Sequence, residues 1–351
     1  MGPAPAITTG NAVTPHSNIR KMNICVFGAG AVGGHIAAKL AARGHHVSVV
    51  ARGAHLEAIR DSGITLHHGA EVIRGRVRAC ASAAEIGLQD FVFVTLKANA
   101  LGAFADAAPS IVGRETAVVF AQNGIPWWYG IGLSRERPRP PDLSRLDPGG
   151  KLARAIAPGN IIGGVVYSAN EVREPGVIVN NVPGNNMLVI GCADDSQPER
   201  VGELRTALTN ADIYCPPVTD IRKSVWGKLV QNLSTAALCT LTGATVKELR
   251  EDAALAKVAL RLAEEARSIA RAHGIDPAGA PTRPGGGQSA GAIAHKPSML
   301  QDYERGRPME VEALLAAPLE FARVAGVAAP ALEAIVALVA HKAAAKGLYG
   351  D

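Results

Sequence analysis

Short apolar runs alternate with helical stretches over the first part of the chain. The folded region begins near Met22, and the apolar run 24–27 is typical of a buried parallel strand. A helical stretch over about 31–43 follows, and residues 47–50 predict a second strand. This spacing predicts a βαβ unit with a right-handed crossover.

The same alternation continues to about residue 218. Strands are predicted over 91–96, 117–120, 161–167, 177–180, 187–190 and near Ile213, with helices over 99–112 and 197–209. Residues 22–218 should therefore form an α/β Rossmann domain with a doubly wound, mostly parallel sheet. Residues 130–150 are rich in Pro and Gly, and we interpret them as a surface loop insertion rather than a substrate lid.

From about Thr219 the pattern changes to helical periodicity without strand signals. Helices are predicted over 221–241, 246–273, 297–325 and 330–346, with a Gly/Pro-rich loop at 277–291. Residues 219–351 should therefore form an all-α domain. Residues 1–21 are rich in Pro, Thr, Asn and Gly and lack the apolar core of a secretory signal, so we interpret them as a disordered leader.

Composition narrows the classes of partner and compartment. The formal net charge of +5 is dispersed, without a polybasic block, which favours anionic small molecules over a nucleic-acid partner. The five cysteines are far apart and form no CxxC pair, which argues against a metal site or disulfide framework and favours the reducing cytoplasm. No apolar run reaches 18 residues, so no membrane span is expected.

The predicted first strand leads directly into a GxGxxG sequence that opens a helix. It consists of Gly28, Ala29, Gly30, Ala31, Val32 and Gly33. In this context Gly28 permits a tight turn, Gly30 lets the backbone approach a pyrophosphate, and Gly33 permits close packing of helix on strand. The helix N-terminus then favours the anion, so the sequence predicts a dinucleotide site.

The end of the second strand favours NADP over NAD. An NAD site usually carries an acidic residue there for the ribose 2′-hydroxyl, whereas this chain has Arg52. A guanidinium can bind a 2′-phosphate through paired, charge-assisted hydrogen bonds. A solvated surface arginine is the alternative.

Several polar residues fall where a site is expected. Lys97 and Asn123 each follow a predicted parallel strand, at the sheet edge where α/β proteins bind ligands. Lys228 and Asn232 are four apart and share one helix face, which is equally compatible with an exposed polar stripe. Ser298 is typical of a helix cap or a ligand contact. Glu310, taken by itself, is typical of a helix-surface carboxylate.

Taken together, the motifs GAGAVGG, TLKA, QNG, WxKLxxN and SMLQDxxxGRxxE resemble the 2-dehydropantoate 2-reductase (ketopantoate reductase) family. They follow the family order from residue 22 to about 345, which is nearly the whole chain. The resemblance implies NADPH-dependent reduction of a 2-keto acid, with 2-dehydropantoate reduced to (R)-pantoate in pantothenate and coenzyme A biosynthesis as the leading case.

The resemblance also implies roles for individual residues. Lys228 matches the family's catalytic general acid, and Glu310 matches the carboxylate that engages the substrate. Asn123 matches the asparagine that positions nicotinamide and substrate. Substrate-binding positions are matched by Asn232 and Ser298, and cofactor positions by Lys97 and Arg52, with Arg52 at the 2′-phosphate.

The chain departs from the family pattern four residues after Asn232. Ala236 stands where the family usually has a second substrate-binding asparagine, so one polar contact is missing and specificity can change. Aromatic residues 127–129 either line the substrate cleft or pack the following loop. One alternative is therefore a reductase of another 2-keto acid. A non-catalytic NADP-binding sensor is a separate alternative. The helical domain can supply either a homodimer interface or an intramolecular core.

Overall fold

The computed structural model describes residues 20–196, 198–284 and 296–350. Most of the predicted leader (residues 1–19) lies outside this part of the chain. So does the predicted Gly/Pro-rich loop from residue 285 onward.

The described residues contain two sheets. Their strands, numbered along the chain, are β1 (Asn23–Phe27), β2 (His46–Val50), β3 (Ile64–His68), β4 (Glu71–Gly75), β5 (Arg78–Cys80), β6 (Phe91–Val94), β7 (Ala117–Ala121), β8 (Ile161–Val166), β9 (Asn170–Glu174), β10 (Val177–Asn180) and β11 (Leu188–Cys192). Seven of them form the main sheet in the order β11-β8-β7-β6-β1-β2-β5, and the other four form a second sheet.

The main sheet is parallel throughout, except that β11 runs antiparallel to β8. The predicted mostly parallel, doubly wound sheet is confirmed. Because β1, β2, β6, β7 and β8 are parallel, their carboxyl ends lie at one edge of the sheet, and the strand order reverses at β1. In this class of fold, ligands bind at that edge near the reversal.

The second sheet, of order β4-β3-β10-β9, was not predicted. Strands β4 and β9 are mostly exposed or half-buried and carry charged residues, and β3 ends in two histidines, so their apolar signal is weak. Gly34 packs against Ile178 of β10, and Gly75 of β4 packs against Ala38, so this sheet covers the outer face of the first helix.

The helices complete the described chain. They are α1 (Ala31–Ala42), α2 (Gly53–Ser62), α3 (Gly102–Ala107), α4 (Lys151–Ala155), α5 (Glu199–Asn210), α6 (Ile221–Thr242), α7 (Val246–Glu251), α8 (Ala253–Ala272), α9 (Ser298–Glu304), α10 (Ala317–Val324) and α11 (Pro330–Ala344), with a π-helical turn at Glu312–Ala316. Those from α6 onward pack on one another, and α6 lies at their centre against β8 and β11. One apolar cluster runs from the main sheet into these helices.

Four predicted elements differ from the structure. The helix 246–273 divides at Asp252, whose carboxylate caps the new helix by accepting from the Ala254 and Leu255 N–H groups. The helix 297–325 is interrupted where Gly306 adopts φ +61 and Pro308 follows. The helix 99–112 is α-helical only in α3, between 3₁₀ turns. Near Ile213 there is one isolated bridge, Met187 to Tyr214, instead of a strand.

The aromatic residues 127–129 pack the core. Trp128 and Tyr129 are 1% and 2% exposed, and the Trp128 ring occupies the space above Gly163 that a side chain would fill. Arg222, fully buried at the start of α6, donates to the carbonyls of Tyr129, Ile131 and Ala193. The insertion 130–150 is mostly exposed, as predicted, and Arg137 anchors it to Asp220 at 2.8 Å.

Candidate active site

The loop between β1 and α1 has space on one side and close packing on the other. Gly28 adopts φ +103, a conformation that favours glycine. A side chain on Gly33 would overlap the Gly28 carbonyl and lie 2.5 Å from Thr95 Oγ1. A side chain on Gly30 would have no heavy atom within 4 Å. The exposed N-terminus of the 12-residue α1, without an acidic residue in its first turn, therefore fits a phosphate group.

Two side chains hold this loop from behind. Thr95 Oγ1 donates to the Gly28 carbonyl at 2.5 Å. His55 Nδ1 accepts from the Gly176 N–H at 3.0 Å, so His55 Nε2 carries the proton and donates to the Ala29 carbonyl at 2.6 Å. The loop is thereby fixed to β6 and to the second sheet before any ligand binds.

Arg52 lies beside this loop at the end of the neighbouring strand. It is exposed and is the N-cap residue of α2. Gly28 donates to the carbonyl of Val50, two residues earlier, so the loop and the strand end are in direct contact. This position is compatible with a 2′-phosphate contact, which stays a prediction.

The turns after β6 and β7 touch the helical domain. Lys97 Nζ lies 2.6 Å from Asp302 Oδ2 and donates to the Pro308 carbonyl at 3.1 Å. Gly124, with φ +85, packs against Ala313, and the following Ile125 N–H donates to the Ala313 carbonyl. The Oδ1 atom of Asn123 is buried and has no hydrogen-bond partner among the described residues, so this acceptor is available to a ligand.

Glu310 lies in the same interface. Its Oε1 atom accepts from the Ala98 N–H at 3.0 Å. Burial raises the pKa of Glu310, and the Ala98 hydrogen bond and the Lys97 charge oppose that rise. The break in the predicted helix at Gly306 and Pro308 places Glu310 before the π-helical turn rather than on a helix surface. The structure thus brings Lys97, Asn123 and Glu310 to one place.

Lys228 lies on α6, facing the end of β8. The side chain is half-buried, and desolvation lowers its pKa from the ordinary 10.5 to about 8. Its ammonium lies 5.0 Å from the centre of the Tyr167 ring. Gly227 just before it permits close approach, since a side chain there would lie 2.5 Å from Ala280 Cβ.

The remaining predicted substrate residues differ in exposure. Asn232, one turn after Lys228, is half-buried, and Ser298 is exposed. Ser298 is the first residue of α9, and no side chain caps this helix, so the cap interpretation is wrong. Ala236 is 5% exposed. The roles of Asn232 and Ser298 in binding stay predictions.

Within residues 20–196, 198–284 and 296–350, no group of three or more His, Cys, Asp or Glu residues is arranged to hold a metal ion. No helix in these ranges combines the length and apolarity that a membrane span needs.

Comparison with known proteins identifies the family. The model for ketopantoate reductase PanE/ApbA matches residues 24–130, and that for its C-terminal domain matches residues 220–343. The chain belongs to the ketopantoate reductase family. As a ketopantoate reductase family member it is an oxidoreductase that acts on CH–OH groups with NADPH as cofactor.

Individual relatives support the same family assignment. It is 41% identical over 332 residues to a 2-dehydropantoate 2-reductase of Mesorhizobium japonicum, covering 93% of this chain and all of the relative. The crystal structure of a 2-dehydropantoate 2-reductase from Methylococcus capsulatus has a TM-score of 0.71 and 26% identity, covering 94% of this chain and all of that one. A D-mandelate dehydrogenase with NADH and anilino(oxo)acetate has a TM-score of 0.75 at 18% identity, covering 93% and 99%, and shares the fold.

Sequence reasoning missed three residues beside the predicted site. Asp302 lies within the SMLQD motif, and its burial beside Lys97 was not foreseen. His55 and Tyr167 carry no motif, and only the folded chain brings them to Ala29 and Lys228. The prediction of a strand ending at Tyr167 was the single signal that this residue lies at the ligand edge.

Proposed function

We propose that this ketopantoate reductase family member catalyses the NADPH-dependent reduction of 2-dehydropantoate to (R)-pantoate, a step of pantothenate and coenzyme A biosynthesis. The half-buried ammonium of Lys228 at the carboxyl edge of the sheet, with a pKa lowered to about 8, carries this proposal. A group with such a pKa is mostly protonated at neutral pH and still able to release its proton.

The glycine loop and its surroundings hold the cofactor in this proposal. The open side of Gly30 and the N-terminus of α1 receive the pyrophosphate, and Arg52 receives the 2′-phosphate. The buried Oδ1 atom of Asn123 accepts a hydrogen bond from the nicotinamide or the substrate. Lys97 contributes positive charge close to the cofactor while it is anchored on Asp302. The bound nicotinamide supplies the hydride.

Lys228 performs the proton step. Hydride addition to a ketone develops negative charge on the carbonyl oxygen, and a nearby ammonium stabilises that charge and then donates its proton. Burial in the domain cleft strengthens the electrostatic attraction because water is excluded. The lowered pKa makes transfer from Nζ easier than from an exposed lysine.

Glu310, Asn232 and Ser298 bind the substrate. Glu310 keeps one oxygen on the Ala98 N–H, which fixes its carboxyl group against the cofactor domain. Its other oxygen then engages the hydroxyl of the substrate. Asn232 lies one turn from Lys228 on α6, and Ser298 begins α9, so both approach the cleft from the helical side.

The proposal assigns separate tasks to the two parts of the chain. Residues 22–218 bind NADPH, and residues 219–351 bind and protonate the 2-keto acid. The five cysteines are all buried free thiols, which supports action in the reducing cytoplasm. Pairing as a homodimer stays an expectation for the helical part.

A second candidate is the reduction of a different 2-keto acid. The observation in its favour is Ala236, because the methyl group there cannot form the hydrogen bond that the family's asparagine supplies. Residues 127–129 no longer support this candidate, since they pack the core. A non-catalytic NADP-binding protein is the third candidate.

Steady-state turnover separates these candidates. NADPH oxidation is followed with 2-dehydropantoate, with several other 2-keto acids, and with NADH in place of NADPH. The highest kcat/KM with 2-dehydropantoate supports the proposal, and a higher value with another keto acid supports the second candidate. Tight NADPH binding without turnover of any keto acid supports the third.

The role of Lys228 needs its own variant. Lys228→Ala should leave NADPH binding intact and lower kcat by a factor of ~10² to 10⁴, the scale of a positioned acid–base group. Lys223→Ala, on the same helix, is the matched control and should keep its turnover. Full turnover by Lys228→Ala would remove the residue from the mechanism.

A further inference from the structure

Tyr167 follows the last residue of β8, at the carboxyl edge of the main sheet. The side chain is half-buried, and the phenol donates to the carbonyl of Ser224 at 3.4 Å. Ser224 lies one turn before Lys228 on α6, so this bond turns the ring toward the lysine. The Lys228 ammonium lies over the ring at 5.0 Å from its centre, within the range of a cation–π contact.

Within the described residues no carboxylate pairs with the Lys228 ammonium, and desolvation lowers its pKa. The elements that pack against α6 hold their charges elsewhere. Asp302 on α9 pairs with Lys97, Glu265 on α8 pairs with Arg261, and Lys247 on α7 pairs with Glu251. Glu312 accepts a hydrogen bond from Tyr349, Lys342 on α11 lies over the Tyr303 ring, and Asp276 caps the turn at Pro277–Gly279. Strands β8 and β11 carry no charged residue, and the titratable side chain on β11 is the thiol of Cys192.

We propose that Tyr167 is a positioning residue that holds the Lys228 ammonium over its ring and keeps it charged for proton donation. This inference rests on the proposed function of Lys228. The negative face of the ring offsets part of the cost of burying the ammonium, without accepting any of its three N–H donors in a conventional hydrogen bond.

The phenol itself is suited to this task. Burial raises the pKa of Tyr167 to about 12, so the side chain is neutral throughout the pH range of the reaction. A neutral phenol retains its O–H donor to Ser224, which keeps the ring orientation constant. A carboxylate in the same place would instead bind the ammonium directly, raise its pKa and compete with the substrate oxygen.

The test is the pH dependence of kcat in Tyr167→Leu and Tyr167→Phe. Leucine removes the aromatic face, so the alkaline limb of kcat should move down by about one pH unit, the equivalent of a desolvated cation–π contact. Phenylalanine keeps the aromatic face and loses only the O–H bond to Ser224, so its limb should move clearly less than that of the leucine variant. The dissociation constant of NADPH should be unchanged in both, since Tyr167 faces α6.

Controls make the outcome specific. Tyr303 also lies under lysine ammonium groups, those of Lys342 and Lys346, so Tyr303→Leu removes a comparable contact at another place and should leave the limb unshifted. If the Tyr167→Leu variant does not fold, Tyr167→Met removes the aromatic face in its place.

The failure of this inference differs from the failure of the proposed function. If Lys228→Ala loses turnover while Tyr167→Leu and Tyr167→Met keep the wild-type limb, Tyr167 is not a positioning residue and Lys228 keeps its role. If Lys228→Ala keeps full turnover, the proposed function of Lys228 is wrong, and the inference is overturned with it.

Discussion

Replacing Lys228 by methionine should stabilise the protein while it abolishes proton donation. Burial lowers the pKa of Lys228 from 10.5 to about 8, so the folded state binds the proton less well than the unfolded chain. Each pKa unit corresponds to about 1.4 kcal/mol, and the ammonium therefore costs about 3 kcal/mol of folding free energy at pH 7. Methionine fills a similar volume without the charge.

Proton linkage determines how the stability difference between Lys228→Met and the wild type changes with pH. Between pH 8 and 10.5 the unfolded state binds more protons than the folded state, so the stability of the wild type rises with pH. The advantage of Lys228→Met should therefore fall from about 3 kcal/mol at pH 7 to about 2 kcal/mol at pH 9, and approach zero above pH 10.5. Below pH 8 it should be nearly constant.

Urea unfolding of the cofactor-free protein measures this advantage. Midpoints and slopes are recorded at pH 7 and pH 9 for the wild type, for Lys228→Met and for Lys257→Met, a control on the exposed face of α8. The control should change stability by less than about 0.5 kcal/mol. A Lys228→Met variant that is no more stable than the control, or whose advantage grows with pH, would refute the reasoning.

Three further predictions concern the cofactor site and the domain junction. Gly30→Ala should keep the thermal unfolding midpoint of the wild type and weaken NADPH binding in a fluorescence titration about tenfold or more, because the new methyl group points into the open space where the pyrophosphate belongs. Gly33→Ala should instead lower the unfolding midpoint, because its methyl group would overlap neighbouring atoms, and equal midpoints for the two variants would contradict this. Arg52→Ala should raise the Kd of NADPH by about tenfold to a hundredfold with little change for NADH, and equal losses would argue against NADP selection there. Arg222→Met should lower the free energy of unfolding by about 3–5 kcal/mol in urea titrations, since three carbonyls lose their buried donor; a change under 1 kcal/mol would contradict that role.

The sequence predicted those parts of the fold that have a strong local signal. β1, β6 and β7 are continuous apolar runs, and the glycine loop has fixed spacing, so both were predicted at nearly their observed bounds. The second sheet was missed because strands such as β9, with sequence NEVRE, have little apolar character and exist only through pairing with distant segments. The break at Asp252 was missed because it depends on one carboxylate that caps a new helix, and the break at Gly306 was missed although Gly306 and Pro308 are both helix-breaking residues.

The sequence supplied candidate site residues, whose roles stay predictions, but it did not predict the contacts between them. Motif order led to Lys228, Glu310, Lys97 and Asn123. That Lys97 is anchored on Asp302, or that Lys228 lies over Tyr167, depends on how two parts of the chain meet, and no local pattern records it.

The second sheet also determines when the N-terminal part of the chain can fold. Its pairing of β3 with β10 joins residues 64–68 to residues 177–180, so the part of α1 around Gly34, which packs against Ile178, is uncovered until the chain has been synthesised past residue 180. Closing so long a loop is slow, and the incomplete chain exposes apolar surface meanwhile. A fragment that ends between the glycine loop and β10 should consequently need a chaperone, although it contains every glycine of the nucleotide motif.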